Sequence, residues 1–248
     1  MAPAGVSGVS APTVVVTRKL PASVEDAIAS RYDARFNRTD VSLTTEQMAE
    51  VLLSTDIVLC TVTDQLRAEL FDRSVKTRLL ANFGVGVNHI DRDAARRAGL
   101  QISNTPDVLT DDTADIALAL ILMVMRRLGE GERHLRSGAW SGWRPTHLMG
   151  RSPHGKTLGI IGYGRIGRAL ARQASAALDM HVIWYSPREP RIDDPATAGP
   201  PNAERVESVD ALLTRADVVS LHCPATPETR HLMNAERLAL MGPTSYLI

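Results

Sequence analysis

Three glycines with the spacing G-x-G-x-x-G are the residues of this 248-residue chain whose pattern points most directly to chemistry. They are Gly162, Gly164 and Gly167, and they follow an apolar run that ends at Ile161. We expect a tight turn at Gly162, close approach of a pyrophosphate at Gly164, and close packing of a helix against its strand at Gly167. The free N–H groups at the start of that helix suit phosphate binding. The motif predicts a dinucleotide site, and its alternative is a glycine-rich turn in another α/β protein.

The residues around the motif predict alternating strands and helices, which is typical of a parallel α/β fold. The predicted strands cover 13–17, 57–61, 79–80 and onward, 101–104, 158–161, 181–185, 217–221 and 245–248, with a weak signal at Phe36. The predicted helices cover 23–31, 44–53, 68–71, 91–98, 110–127, 168–178, 208–214 and 235–240. For the first helix we expect Ser23 as N-cap with Asp26 at the capping-box position, and for the second Thr44 or Thr45 as N-cap.

The helix predicted at 110–127 has an acidic start, a dense apolar middle and two arginines at its end. Because it is apolar on nearly every face, we expect it to be buried almost all round. Two interpretations stay open: a core side opposite a subunit interface, or a helix wholly inside one core. Residues 130–136 are a candidate extension, and 138–155, rich in Gly, Pro and Trp, are expected to form a loop.

Composition excludes several classes of protein. Lys+Arg and Asp+Glu both number 28, so the formal net charge is zero and no basic field favours a nucleic-acid partner. No apolar run approaches the roughly 20 residues that cross a bilayer, and residues 1–13 lack a secretory signal. Cys60 and Cys223 lie far apart without metal-ligand spacing. They predict two unpaired thiols in a reducing, cytoplasmic compartment and no metal site.

Three segments together carry a resemblance to a known family. They read NFGVGVNHID followed by NTPDVLTDDTADIALALIL, then TLGIIGYGRIGRALAR, then VVSLHCPATPETRHLMN. In this order and spacing they resemble the D-isomer-specific 2-hydroxyacid dehydrogenases, especially the glyoxylate and hydroxypyruvate reductases, over residues 57–248. The resemblance implies a smaller flavodoxin-like substrate domain at 1–106 and a doubly wound Rossmann NAD(P)-binding domain at 107–248, with the active site in the cleft between them. It also implies a homodimer formed through helix 110–127.

The resemblance further implies roles for individual residues. The backbone N–H groups of Val85 and Gly86 would hold the carboxylate of a small 2-oxo acid, and Thr113 would reach the nicotinamide end of the cofactor. His222 becomes a cofactor-lining residue rather than a catalyst. The implied cofactor-binding residues are Thr113, Gly162, Tyr163, Gly164, Arg165, Ile166, Gly167, Ser186, Arg188, His222, Cys223, Pro224 and Thr229.

The residues after strand 181–185 predict the choice of cofactor. An acid at the end of this strand binds the ribose hydroxyls of NAD, and aligning Tyr185 with the family's usual Tyr-Asp puts Ser186 at that position. Serine removes a carboxylate that would repel a 2′-phosphate, while Arg188 supplies a planar donor fork and Arg191 is a second candidate. We therefore expect NADPH to be preferred over NADH. The alternative is that Arg188 is a solvated loop arginine.

The family's catalytic arginine, glutamate and histidine are expected beyond Ile248, the arginine in an Asn-x-x-Arg-Gly segment. We assign these catalytic roles to no other residue of the chain, because the sequence gives neither His89 nor His147 an acidic partner. Loss of a general acid alone costs roughly 10²–10⁴-fold in rate. The expectation is a truncated member, lacking the last strands of its sheet, that keeps its NADPH contacts and turns over at a rate near zero.

Two other function classes stay open at this point. One is a non-catalytic dinucleotide-binding protein, such as a redox-sensing regulator, although no DNA-binding motif or basic patch supports it. The other is a different reaction on a similar scaffold, such as the oxidation of formate or phosphite.

Overall fold

The structure is a computed structural model that describes residues 11–189, 191 and 195–248. The chain divides into two compact units, Met1–Val108 and Leu109–Ile248. Each unit contains one parallel five-stranded sheet, which confirms the predicted α/β class. Among the described residues, no helix is both long and apolar enough to cross a membrane.

The first unit has the strand order β2-β1-β3-β4-β5 of flavodoxin-like sheets. Its strands are β1 (Thr13–Val16), β2 (Asp33–Phe36), β3 (Ile57–Thr61), β4 (Leu79–Phe83) and β5 (Gln101–Ser103). Its helices are α1 (Ala22–Ala29), α2 (Thr45–Ser54) and α3 (Arg92–Arg97), with a short 3₁₀ turn at Ala68–Leu70. Leu52, Val58 and Leu80 are fully buried in the core that joins these helices to the sheet.

The second unit has the strand order β10-β9-β6-β7-β8, which is doubly wound about β6. Its strands are β6 (Thr157–Ile161), β7 (His181–Tyr185), β8 (Glu204–Arg205), β9 (Val218–Leu221) and β10 (Tyr246–Leu247). Its helices are α4 (Thr110–Met125), α5 (Leu128–Arg136), α6 (Arg165–Leu178), α7 (Val209–Arg215) and α8 (Ala235–Leu240), with 3₁₀ turns at Pro195–Thr197 and Pro227–Thr229. The winding reverses between β6 and β9, so the carboxyl ends of these two strands form the switch point where such sheets bind ligands.

Two predicted helix starts are wrong. Helix α6 begins at Arg165, three residues before the predicted start, with Gly164 as its N-cap. Helix α1 begins at Ala22 after Pro21, and the predicted cap by Ser23 does not form. The fixed φ of proline, here −54°, brings the chain into the helix earlier than the side-chain signal suggested.

Helix α2 confirms the predicted cap at Thr44. The Thr44 hydroxyl accepts from the backbone N–H of Gln47, and the Gln47 side chain accepts from the backbone N–H of Thr44. This reciprocal capping box satisfies two N–H groups that have no partner inside the helix.

Helix α4 is buried on one side only, so the expectation of burial all round is wrong for the single chain. Its core side is formed by small and apolar residues three or four positions apart: Ala114, Ala117, Ile121 and Met125. On the other side Ile116 is 64% exposed and Met123 is 43% exposed. The helix ends at Met125, two residues before the predicted end. The candidate extension is a separate helix, α5, because Arg127 adopts a left-handed φ of 55° between the two.

Candidate functional site

The glycine turn lies where β6 and β9 end. Its first residue, Gly162, cannot be replaced by a residue with a side chain without strain. Gly162 has a φ of +97°, and a Cβ at this position would collide with the backbone N of Cys223. Two hydrogen bonds hold the turn: Gly162 N–H donates to the Tyr185 carbonyl (2.9 Å), and His222 N–H donates to the Ile161 carbonyl (2.8 Å). The loop after β6 is therefore packed directly on the loop after β9.

The other two glycines differ in what surrounds them. A Cβ on Gly167 would collide with the carbonyl oxygen of Gly162 and come within 3.1 Å of Ile160 Cγ2. A Cβ on Gly164 would meet nothing within 4 Å. Gly164 is the N-cap of α6 and, having no side chain, leaves the N–H groups of the first turn uncapped by a side chain. The close helix–strand contact is thus at Gly167, whereas Gly164 borders open space at a helix N-terminus, a position that favours anions.

The side chain of Tyr163 belongs to the core. It is 5% exposed and stacks on Trp184 with ring centroids 4.3 Å apart and planes at 8°. Burial raises the pKa of its hydroxyl to about 12. Any contact between Tyr163 and a cofactor would therefore come from its backbone, which borders the glycine turn.

The loop after β9 is held by its own polar groups. The Nε2 atom of His222 lies 2.9 Å from the Ser220 hydroxyl, and burial lowers the pKa of His222, so its neutral form is favoured. The Thr229 hydroxyl donates to the Pro224 carbonyl (2.7 Å) and accepts from Thr226 N–H (2.8 Å). Thr229 therefore shapes the loop whose other end packs on Gly162.

Neither cysteine has the character of a nucleophile. Cys60 is fully buried, and burial raises the pKa of its thiol to about 12. Burial also raises the pKa of Cys223. Both are unpaired thiols as predicted, and thiols that stay protonated at neutral pH are weak nucleophiles.

A cavity of about 430 Å³ lies at the carboxyl end of β7, beside the residue predicted to neighbour the ribose. It is lined by Tyr185, Ser186, Pro187, Arg205, Val206 and Glu207. Arg188 is exposed and is not part of the lining, and Arg191 is likewise exposed. The arginine in the lining, Arg205, was not predicted, because it belongs to another strand and reaches Ser186 only through the pairing of β8 with β7.

Thr113 lies apart from the glycine turn in the sequence, in the first turn of α4. Its hydroxyl donates to the Leu109 carbonyl (2.7 Å), one turn earlier. The helix packs on α6 and β10 within the second unit. The predicted contact of Thr113 with the nicotinamide stays a prediction.

The loop predicted to bind the substrate carboxylate lies at the end of β4 in the first unit. The buried side chain of Asn82 donates to the carbonyls of Gly84 and Gly86, both at 3.0 Å, and Asn104 donates to the carbonyl of Val85 (2.9 Å). Three consecutive carbonyls are thus turned toward the protein. Within the residues that the structure describes, the N–H groups of Val85 and Gly86 have no acceptor, which is the arrangement that a bound anion needs.

Sequence reasoning missed Asn82 and Asn104 as the supports of this loop. A further support is Thr105, whose hydroxyl accepts from Gly84 N–H (3.1 Å) while its own N–H donates to the Gly84 carbonyl (3.1 Å). The only signal in the sequence was the proximity of Asn82 to the two glycines. Asn104 and Thr105 directly follow the neighbouring strand β5, so their contributions required the fold.

A second cavity, of about 320 Å³, opens beside Gly86 and includes Arg67 and His89 in its lining. Burial lowers the pKa of His89, and the nearby carboxylate of Asp64 opposes that shift. His89 thus has an acidic neighbour that the sequence did not indicate. His147 lies in the second unit, where its ring contacts Arg144 (3.3 Å).

Comparisons with known proteins agree with this geometry. Residues 118–248 match the model of the family described as D-isomer specific 2-hydroxyacid dehydrogenase, NAD binding domain. The glyoxylate reductase of Thermococcus litoralis is 37% identical over 242 residues, which cover 96% of this chain and 71% of that protein. The glycerate dehydrogenase of Hyphomicrobium methylovorum is 35% identical over 89% of this chain and 68% of that protein. The crystal structure of the TT0316 protein from Thermus thermophilus superposes with a TM-score of 0.83 at 38% identity, covering 95% of this chain and 72% of that one.

The contrast between Gly164 and Gly167 gives a test of the site. We expect Gly164→Ala to leave thermal unfolding nearly unchanged, because its Cβ meets only open space, but to weaken binding of a nicotinamide dinucleotide by roughly 10-fold or more if the pyrophosphate approaches the backbone there. We expect Gly167→Ala to destabilise the second unit by about 1–3 kcal/mol through overpacking. Fluorescence titration and calorimetry measure the two effects. Unchanged NADPH affinity in a folded Gly164→Ala variant would contradict the assignment.

Proposed function

We propose a reaction from one premise: the chain belongs to the family of D-isomer-specific 2-hydroxyacid dehydrogenases. It is therefore an oxidoreductase sequence whose cofactor is a nicotinamide dinucleotide. The proposal is hydride transfer between NADPH and a small 2-oxo acid, glyoxylate or hydroxypyruvate. The observation that carries it is the glycine turn packed on the β9 loop, with open space at Gly164.

The residues of the second unit fit a dinucleotide. Gly164, Arg165 and Ile166 form the N-cap and first turn of α6, whose N–H groups and dipole favour the pyrophosphate. The neutral His222 and the loop that follows it would line the adenosine side. When bound, the dinucleotide supplies a hydride to the carbonyl carbon of the substrate. We assign cofactor binding to residues 107–248 and substrate binding to residues 1–106.

The residues of the first unit fit a small carboxylate. The N–H groups of Val85 and Gly86 would bind it, while Asn82 and Asn104 keep the adjoining carbonyls turned away. A loop held in this way loses little conformational entropy when the anion binds. The names of the similar proteins, glyoxylate reductase and glycerate dehydrogenase, support glyoxylate and hydroxypyruvate as the substrates.

The substrate proposal is tested on the backbone amides themselves. We expect the amide resonances of Val85 and Gly86 to shift when glyoxylate is added, because their N–H groups gain an acceptor. The Asn82→Ala variant should show smaller shifts, since two carbonyls of the loop lose their donor. Shifts confined to other amides would contradict the assignment.

The preference for NADPH is supported by the residues at the end of β7. Ser186 is half-buried and lines the 430 Å³ cavity, so no carboxylate stands at the position that would repel a 2′-phosphate. Arg188 follows two residues later, and among the described residues its guanidinium has neither a hydrogen bond nor an ion pair. A planar donor fork without a partner suits a phosphate.

We expect the wild-type chain to bind NADPH at least roughly 10-fold more tightly than NADH, as one charge-assisted contact allows. Ser186→Asp should reverse the order, because its carboxylate repels the 2′-phosphate and accepts from the ribose hydroxyls of NADH. Ser141→Asp, on an exposed loop, is the matched control and should leave both affinities unchanged. Tighter binding of NADH by the wild type would refute the preference.

A homodimer through α4 is the proposed assembly. The exposed side of the helix presents Ile116, Leu120, Met123 and Val124, the first at 64% exposure. Exposed apolar residues that adjoin one another along a helix commonly mark an interface between subunits. Trp143, in the loop after α5, is a further exposed apolar residue of this unit, 81% exposed.

The dimer is tested by placing charges on that side of the helix. Ile116→Lys combined with Met123→Lys should shift the chain from dimer to monomer, because charges of one sign would be buried without a partner at the interface. Leu53→Lys, an exposed apolar residue of the first unit, is the control. Light scattering coupled to size exclusion gives the mass. A wild-type chain that is monomeric at high concentration would contradict the assembly.

A further inference from the structure

An arginine from β8 reaches the cavity at the end of β7, where Ser186 lies. The strands pair in parallel with Trp184 opposite Arg205. From this position the Arg205 Nη2 atom donates to the Ser186 carbonyl (3.3 Å), and both residues line the same cavity of about 430 Å³. Arg205 is thus brought beside the proposed ribose position by strand pairing.

The guanidinium of Arg205 rests on a rigid surface. Its Cζ atom lies 5.5 Å from the ring centroid of Trp184, which is 8% exposed and stacked on Tyr163. A guanidinium over an aromatic ring has part of its rotamer freedom already removed while its outer N–H groups stay available. This arrangement favours the binding of an anion in the cavity.

Among the described residues, Arg205 forms no ion pair, whereas its neighbour Glu204 does. Glu204, adjacent in the sequence, is bound by both terminal nitrogens of Arg215, at 2.7 and 2.6 Å. In the part of the chain that the structure describes, no carboxylate forms an ion pair with Arg205. Glu207 also lines the cavity, and its charge opposes the binding of an anion there.

We propose that Arg205 is a specificity-determining residue that binds the 2′-phosphate of NADPH in this cavity. The inference rests on the proposed preference for NADPH and assigns a contact from β8 in addition to Arg188. A guanidinium fork matches two phosphate oxygens, whereas the two hydroxyls of the NADH ribose give it no anionic partner. Arg205 therefore separates the two cofactors instead of strengthening both.

The test is the ratio of two dissociation constants, measured by fluorescence titration with NADPH and NADH. Arg205→Gln should weaken NADPH binding by about 10- to 100-fold, as expected for loss of a charge-assisted contact, and change NADH binding by less than about twofold. Arg205→Lys, which keeps the charge but not the fork, should restore part of the NADPH affinity. Arg31→Gln, an exposed arginine of the first unit, controls for net charge. Glu207→Gln should tighten NADPH binding by removing a repulsive charge.

The outcomes separate the inference from the preference on which it rests. If the wild type prefers NADPH and Arg205→Gln leaves the ratio unchanged, the role of Arg205 is refuted while the preference stands. If Arg205→Gln weakens NADPH and NADH equally and lowers the unfolding temperature, its role is structural and the inference is refuted. If the wild type prefers NADH, both fail. As a direct probe, 2′-AMP should lose affinity for the Arg205→Gln variant, whereas 5′-AMP should not.

Discussion

The contact between the carbonyl of Gly162 and the first turn of α6 at Gly167 is the constraint on which the second unit depends. No side chain fits between them, so the helix starts directly against the end of β6. The left-handed turn at Gly162 simultaneously brings the loop after β9 into contact with the loop after β6. One steric requirement therefore sets the position of a helix N-terminus, the shape of the switch point and the space beside Gly164. An anion site made from backbone groups depends on such fixed placement, because N–H groups cannot reorient as side chains do.

Both proposed binding loops rely on hydrogen bonds from polar side chains that hold the backbone in place. At the end of β4, Asn82 and Asn104 bind three consecutive carbonyls, while the N–H groups of Val85 and Gly86 have no acceptor among the described residues. After β9, Thr229 ties its loop to Pro224, and Ser220 contacts His222. These hydrogen bonds are made inside one unit, so each loop keeps its shape before a ligand arrives. Preorganisation of this kind lowers the entropic cost of binding.

The charged residues near β7 and β8 show that tertiary contacts decide which charges are paired. Glu204 and Arg205 are adjacent, yet Glu204 is satisfied by Arg215 from α7, whereas Arg205 turns to Ser186 and the ring of Trp184. A neutral pair in the sequence is thereby separated into a closed ion pair and an available cation. Helix α4 shows the same dependence, since a uniformly apolar segment becomes one core side and one exposed side only when α6 and β10 cover it.

The sequence by itself determined the α/β class, most strand and helix positions, the glycine turn and the family, because these depend on local periodicity and on closely spaced motifs. The strand at Phe36, within β2, and the cap at Thr44 were indicated in the same way. Only the tertiary structure decided that α6 starts at Arg165 and that Tyr163 is a core residue. It also decided that Asn104 and Thr105 reach the loop after β4 and that Arg205 reaches Ser186 at the end of β7. Each of these outcomes depends on a contact between residues on different strands or helices, and the register that creates such contacts is a property of the folded sheet, not of any one segment.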